Sequence, residues 1–302
     1  MKPVFRKLAL AALALAALAG ADSATAQKPL VVDLELVLAV DISRSMDQDE
    51  HALQRNGYVE AFRDKDVINA LLSGPEGKIA VTYMEWAAET YPTIPWTIID
   101  SEKAAHAFAD RLAAEPVFGE RRTSISTALY GAEKLIDQNN IASHRRVIDV
   151  SGDGANNYGP PVEEARDFVV KQGIIVNGLP IMLEQDRGGP YGGRGIDIDH
   201  LDRYYKGCVI GGAGAFIAPV FSLQQLAATI RKKLVLEIAG RELPDAAPVQ
   251  YGEARPASGQ AGVIPAQLKL PTEKQDCLAG EKRMQRGFYG GGGFPNFPGP
   301  EN

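Results

Sequence analysis

Apolar and polar positions along the chain divide it into short β-rich runs separated by stretches with helical spacing. Runs at 34–40, 78–85, 93–99, 146–150, 174–180 and 215–219 predict six strands. Between them, segments 50–72, 101–113, 126–139, 161–172, 198–206 and 222–239 follow helical patterns, and each opens near Asp, Ser or Pro, as helix starts do. Such alternation predicts an α/β fold with a doubly wound, mostly parallel, six-stranded sheet of Rossmann-like type. One connection breaks the rule. "WAAETYP", between the second and third strands, is too short for a helical crossover, so these two form a hairpin and leave one antiparallel strand at a sheet edge.

The pattern changes at both termini. Lys2, Arg6 and Lys7 precede an apolar run from 8 to 19, and Ala24-Thr25-Ala26 supplies small residues before Gln27, the layout of a secretory signal peptide cleaved after Ala26. That run is too short to span a bilayer, and no later run exceeds it, so the mature chain is expected to carry no transmembrane segment and to be periplasmic or secreted. Residues 27–240 form the predicted domain. After it, "RELPDAAPVQYGEARPASGQAG" and the closing "GFYGGGGFPNFPGPEN" are too rich in Pro and Gly for regular packing, so 241–302 reads as a largely extended tail.

Composition narrows the function classes. The 302 residues are 45% hydrophobic and 23% charged, which excludes wholesale disorder. Removing Lys2, Arg6, Lys7 and Asp22 with the leader reduces 32 basic and 38 acidic residues to 29 and 37, a net charge of −8 that disfavours nucleic acid as a partner. In an oxidising compartment the two cysteines, Cys208 and Cys277, are a candidate disulfide tying tail to domain; two free thiols are the alternative.

Ligands of open parallel sheets bind beyond the carboxyl ends of the strands. There the first strand runs into Asp41-Ile42-Ser43-Arg44-Ser45, the fourth into Ser151-Gly152-Asp153-Gly154, and the loop before the third helix carries Arg121-Arg122-Thr123-Ser124. Two carboxylates among several hydroxyls suit a hard cation, Mg²⁺ or alternatively Mn²⁺ or Ca²⁺, at one site. His51, His106, His144 and His200 lie singly, without zinc spacing. A plainer reading makes Ser43 and Ser45 caps of the first helix and Asp153 a turn residue.

Asp41-x-Ser43-x-Ser45, Thr123 followed by Ala128-Leu129, and Asp153 within "SGDG" resemble a von Willebrand factor type A (VWA) domain with its metal-ion-dependent adhesion site (MIDAS), over about residues 32–239. "RRVIDVSGDGANN" and "GIIVNGLPI" further resemble a bacterial domain of unknown function that occurs as exported single VWA domains. The resemblance implies that Ser43, Ser45 and Thr123 bind the cation directly or conditionally, while Asp41 and Asp153 hold it largely through water. It also implies a protein partner presenting Asp or Glu to the metal.

The expected function is therefore metal-dependent protein binding rather than catalysis. Arg44, Arg122, Asn156 and Asn157 are candidate partner-binding rim residues, with Arg121 and Tyr158 beside them. A phosphatase with Asp41 as nucleophile would want a second Asp where Ser43 stands, and a serine hydrolase would want a GxSxG elbow that the chain lacks. A metal-dependent hydrolase or a structural envelope-assembly component remain the alternatives. The glycine-rich insertion 183–205 reads as a ligand-wrapping loop, with Asp197, Asp199 and Asp202 as candidates for a second cation.

Overall fold

The structure, a computed structural model, describes residues 30–183, 200–240, 264–265 and 275–289. The expected leader and most of the glycine-rich insertion, including Asp197 and Asp199, lie outside the described residues.

The first strand, β1 (Leu30–Asp41), is buried without interruption from Leu34 to Asp41, and β2 (Ile79–Trp86) is buried throughout. Unbroken burial marks strands covered by helices on both faces. They pair in parallel, with Leu36 opposite Val81 and Asp41 opposite Trp86. β3 (Thr90–Ile99) returns antiparallel to β2, as the short connection predicts. β4 (Ile141–Gly152), β5 (Ile175–Pro180) and β6 (Phe216–Ile217) follow, β5 parallel to both. The sheet order is β3-β2-β1-β4-β5-β6-β7. Winding proceeds outward in one direction from β1 and in the other from β4, so the crevice between their ends is the topological switch point where such sheets bind ligands. All six predicted strands are present. The seventh, β7 (Ile264–Pro265), comes from the tail and pairs antiparallel with β6.

The helices depart from the sequence pattern in two places. Segment 50–72 is two helices, α1 (Gln48–Ala61) and α2 (Lys65–Leu71), because the Asp64 side chain accepts from the amides of Asp66 and Val67 and starts a new helix. Segment 198–206 is a short α6 (Leu201–Tyr204) continued by a π-turn, Tyr205–Val209. Between these lie α3 (Glu102–Ala114), α4 (Ile125–Asp137) and α5 (Val162–Lys171), and α7 (Leu223–Ala239) closes the pattern. In the tail read as largely extended, the described residues 275–289 instead hold a turn and a helix, α8 (Ala279–Tyr289). Cys277 before α8 is disulfide-bonded to Cys208 in the π-turn, 69 positions away. In the chain-entropy model closing such a loop stabilises by roughly 4 kcal/mol.

Alternation along β1 feeds two cores. Leu34, Leu36, Leu38 and Val40 pack with Tyr58, Phe62, Phe108 and Leu234 on one face; Val37 and Ala39 pack with Leu129, Val169 and Tyr205 on the other. Within this apolar interior sits an ionic cluster. Lys233 of α7 is 1% exposed, with Nζ 2.5 Å from Asp149 Oδ1, and it also bonds Glu237 one turn along. Asn177 Nδ2 donates to Glu237 Oε1 at 2.9 Å. Two buried carboxylates share one ammonium, so burial first, and then Asp149, push Glu237 up to about 8.

Two outcomes follow from this cluster. Lys233→Met leaves two carboxylates without their cation and should cost about 3–5 kcal/mol in a denaturant titration. Glu237 has a folded pKa above its ordinary value of 4.5, so its contribution is full below pH 4.5 and is lost as pH rises to about 8. Glu237→Gln should therefore gain stability relative to the parent as pH rises through that window. Denaturation midpoints that shift in parallel from pH 5 to 8.5 would contradict this.

Candidate metal centre

The buried run of β1 ends on a carboxylate. Asp41 is 0% exposed; its Oδ1 accepts from the Ser43 amide at 2.6 Å, while Oδ2 is buried without a hydrogen-bond partner. That turn throws the chain against the loop before α4. Arg44 N donates to Glu120 O and Glu120 N to Ile42 O, each at 2.8 Å, so segments 42–44 and 120 are joined as a short ladder. Arg55 of α1 braces the same loop, donating to Glu115 O at 2.6 Å and Pro116 O at 3.0 Å while its other nitrogen pairs with buried Glu85. The loop ends at α4, where Ser124 caps the helix and its amide donates to Ala87 O at 3.0 Å, fixing Thr123 immediately before the helix.

The structure brings all five residues of the expected metal set to this place. Ser45 Oγ donates to Asp153 Oδ1 at 2.5 Å and lies 2.8 Å from Ser43 Oγ. Since the Ser45 proton goes to Asp153, Ser43 is the donor in the second bond. Thr123 N donates to Asn157 Oδ1 at 3.0 Å and Thr123 O accepts from Asn157 N at 2.9 Å, which laces it to the loop that carries Asp153. Gly152 makes the approach possible. A Cβ there would lie 2.7 Å from Asp41 Oδ2 and 2.9 Å from Tyr205 Oη. Ser43 and Ser45 do not cap α1, because Asp47 does so in a capping box with Glu50, and their hydroxyls serve the cluster.

The electrostatics are those of two neighbouring carboxylates at a buried strand end. Burial first, and then the nearby Asp153 charge, raise Asp41 well above the usual carboxylate range. Tyr205 is likewise pushed up by burial, then by Asp41 and Asp153, and its hydroxyl is buried without a hydrogen-bond partner. A divalent cation would satisfy both carboxylates at once. Among the described residues no group of three or more His, Cys, Asp or Glu is close enough to hold a metal, so a cation here must take hydroxyl oxygen as well as carboxylate. Hard-ion chemistry fits that donor set.

The expected rim is only partly a rim. Arg44 and Arg122 are exposed, and the Arg122 guanidinium lies 4.3 Å from the centre of the Tyr158 ring. Asn156, read as a rim residue, is instead 0% exposed. Its Oδ1 accepts from the Ser126 amide at 3.1 Å, and its Nδ2 donates to Pro160 O at 3.1 Å and Glu281 Oε1 at 2.8 Å. Burial satisfies this amide internally and takes it out of reach of a partner. Asn157 is half-buried and spent on Thr123. Three residues around the centre escape sequence reasoning. Tyr205 faces Asp41 from the π-turn; His51, buried with its pKa lowered by burial, packs beneath Gly119; Gln54 Nε2 donates to Ser151 Oγ at 2.7 Å. No spacing signal marks any of them, since His51 and Gln54 reach the site from α1 and Tyr205 from the π-turn, outside the motif residues.

Comparison with known proteins adds a family and a set of remote structural neighbours. Proximal thread matrix protein 1 from the mussel byssus, solved with a zinc occupied MIDAS motif, is 14% identical with a TM-score of 0.48, covering 70% of this chain and 49% of that one. A von Willebrand factor type A structure from Catenulispora acidiphila is 14% identical with a TM-score of 0.47, covering 68% and 43%. The conserved hypothetical protein BatB from Bacteroides thetaiotaomicron is 18% identical with a TM-score of 0.43, covering 69% and 100%. This chain thus spans about half the length of the first two or less. No curated protein matches it. The model of one family matches residues 31–242, from β1 to just beyond α7, and the chain belongs to that family, described as "Protein of unknown function (DUF1194)".

Proposed function

We propose that this chain is a VWA-like binding module that captures a partner protein through a divalent cation held at the strand ends. The observation that carries the reading is Asp41 Oδ2, a fully buried carboxylate oxygen with no hydrogen-bond partner, beside a second carboxylate and two linked hydroxyls. Ser43, Ser45 and Thr123 would hold the ion directly, and Asp41 and Asp153 would hold it largely through water. When bound, Mg²⁺ or Mn²⁺ would offer an electrophilic position to an outside carboxylate from an Asp or Glu of the partner.

The rim supports a partner with an acidic contact and apolar neighbours. Arg44, Arg121 and Arg122 are exposed around the centre. Phe118, next to the Arg44 contact at Gly119, is exposed and packs edge-on against exposed Tyr91 with ring centroids 6.1 Å apart. Exposed aromatics beside arginines are the residue types that dominate binding energy at interfaces. Export is part of the proposal, resting on the N-terminal sequence and on a disulfide that an oxidising compartment preserves. Among the described residues no helix is long and apolar enough to cross a membrane. Metal-dependent hydrolysis is the second reading, favoured only by the position of Asp41 at the end of the first strand.

Two measurements test the site. In chelator, Asp41→Asn should stabilise the chain, because it removes a buried charge that Asp153 opposes; in Mn²⁺ the order should reverse, with the parent gaining about 5–10 °C in Tm at a hundredfold excess over Kd and the variant gaining nothing. Equal Tm responses in the two proteins would sink the metal site. For the partner, affinity capture from envelope extract with Mg²⁺ should retain a protein that elutes in EDTA and is absent from an Asp41→Ala column. A generic phosphatase and esterase screen separates the second reading, which would require turnover lost in Asp41→Ala.

A further inference from the structure

The family match stops at residue 242, yet the described part of the tail returns to the metal centre. Gly280, in the first turn of α8, lies so close to the loop after β4 that a Cβ there would sit 2.1 Å from Asn156 O and 3.1 Å from Ala155 Cβ. Its neighbour Glu281 accepts from Asn156 Nδ2 at 2.8 Å. Asn156 is held through its backbone amide and both side-chain polar atoms: the Tyr204 hydroxyl accepts from its amide at 3.2 Å, Ser126 N donates to its Oδ1, and Pro160 O and Glu281 take its Nδ2. Asn156 lies three residues after Asp153, and Asn157 binds Thr123 through both its amide and its side chain. What fixes Asn156 also fixes two of the five metal residues.

The other end of this segment reaches the third side of the centre. The Tyr204 hydroxyl donates to Cys277 O at 3.4 Å. Cys277 is bonded to Cys208, three residues beyond the Tyr205 whose hydroxyl faces Asp41 Oδ2 across Gly152. One covalent bond therefore fastens the piece that grips the Asp153 loop to the turn that backs Asp41. Both cysteines are buried.

We propose that residues 275–285 are a covalently fastened strap, and that Gly280 and Glu281 are positioning residues which hold the 153–157 loop, through Asn156, in its cation-binding arrangement. This rests on the metal reading of the centre. Groups that orient metal ligands from behind typically change affinity 10–100-fold when removed. Gly280 supplies close approach, since any side chain would push the strap off the Asn156 carbonyl. Glu281 supplies an acceptor, a role that glutamine fills equally well through its side-chain carbonyl.

The test is Mn²⁺ affinity of the full oxidised chain, measured by isothermal titration and by the electron paramagnetic resonance of the bound ion, with Tm recorded in EDTA. Gly280→Ala and Glu281→Ala should each weaken Mn²⁺ about tenfold or more. Glu281→Gln should remain within about twofold of the parent. Ile68→Ala, which destabilises the core from α2, should lower Tm and leave Mn²⁺ affinity unchanged. Parent-like affinity in Gly280→Ala and Glu281→Ala overturns the strap while leaving the metal reading intact, as does a loss in Ile68→Ala matching theirs at equal Tm. A parent chain that binds no Mn²⁺ overturns the metal reading, and the strap with it.

Discussion

Two carboxylates held together at the mouth of a sheet set the terms for everything around them. Asp41 and Asp153 follow neighbouring strands, so the topology that forms the switch point also forces their charges into one crevice. Taking a charge out of water is costly unless an opposite charge or several hydrogen bonds compensate it. The chain answers part of that need with the Ser43 amide on Asp41 and the Ser45 hydroxyl on Asp153, and Asp41 Oδ2 stays without a hydrogen-bond partner. It spends its nearby buried cation elsewhere, since Arg55 is tied to Glu85 and to the carbonyls of the 115–116 segment. Arg55 thus shapes the loop that presents Thr123 without neutralising the centre.

The same strand shows how the chain behaves when it means to neutralise a carboxylate by itself. Asp149, four residues before Asp153 on β4, faces Lys233 at 2.5 Å in a closed interior. Asp149, near the end of β4, is thus compensated internally, whereas Asp153, just beyond that end, shares its crevice with a second carboxylate. On the proposed reading hydroxyls suit the upper site, because serine and threonine would offer oxygen to a cation without adding repulsion in its absence.

Much of the sheet and the grouping of the five candidate residues is legible in the sequence, because both rest on local regularities. Apolar runs ending in polar residues mark β1 and β4, and Asp41, Ser43 and Ser45 follow the strand at a spacing that survives folding. What is not legible depends on distant partners. Asn156 looks like a loop amide open to solvent, and distant partners on α8, α6 and the start of α4 make it a buried anchor. The Asp64 break between α1 and α2 hides inside a continuous helical pattern, since an Asp within a helix and an Asp at a cap look alike until the backbone turns. Nor does helical spacing mark Lys233 as an ion-pair residue, since its partner Asp149 arrives from a distant strand.

That lysine also governs how α7 can travel. A helix shifting along its axis moves most naturally by one turn, 5.4 Å, because that exchanges each residue for the one four places away. Such a step would bring to Asp149 either Thr229, which carries no charge, or Glu237, which carries the wrong one when ionised. Both neighbouring registers are electrostatically inferior to the observed one. The buried ion trio thus acts as a detent for α7, one that holds most firmly against the step presenting Glu237 when that carboxyl has lost its proton.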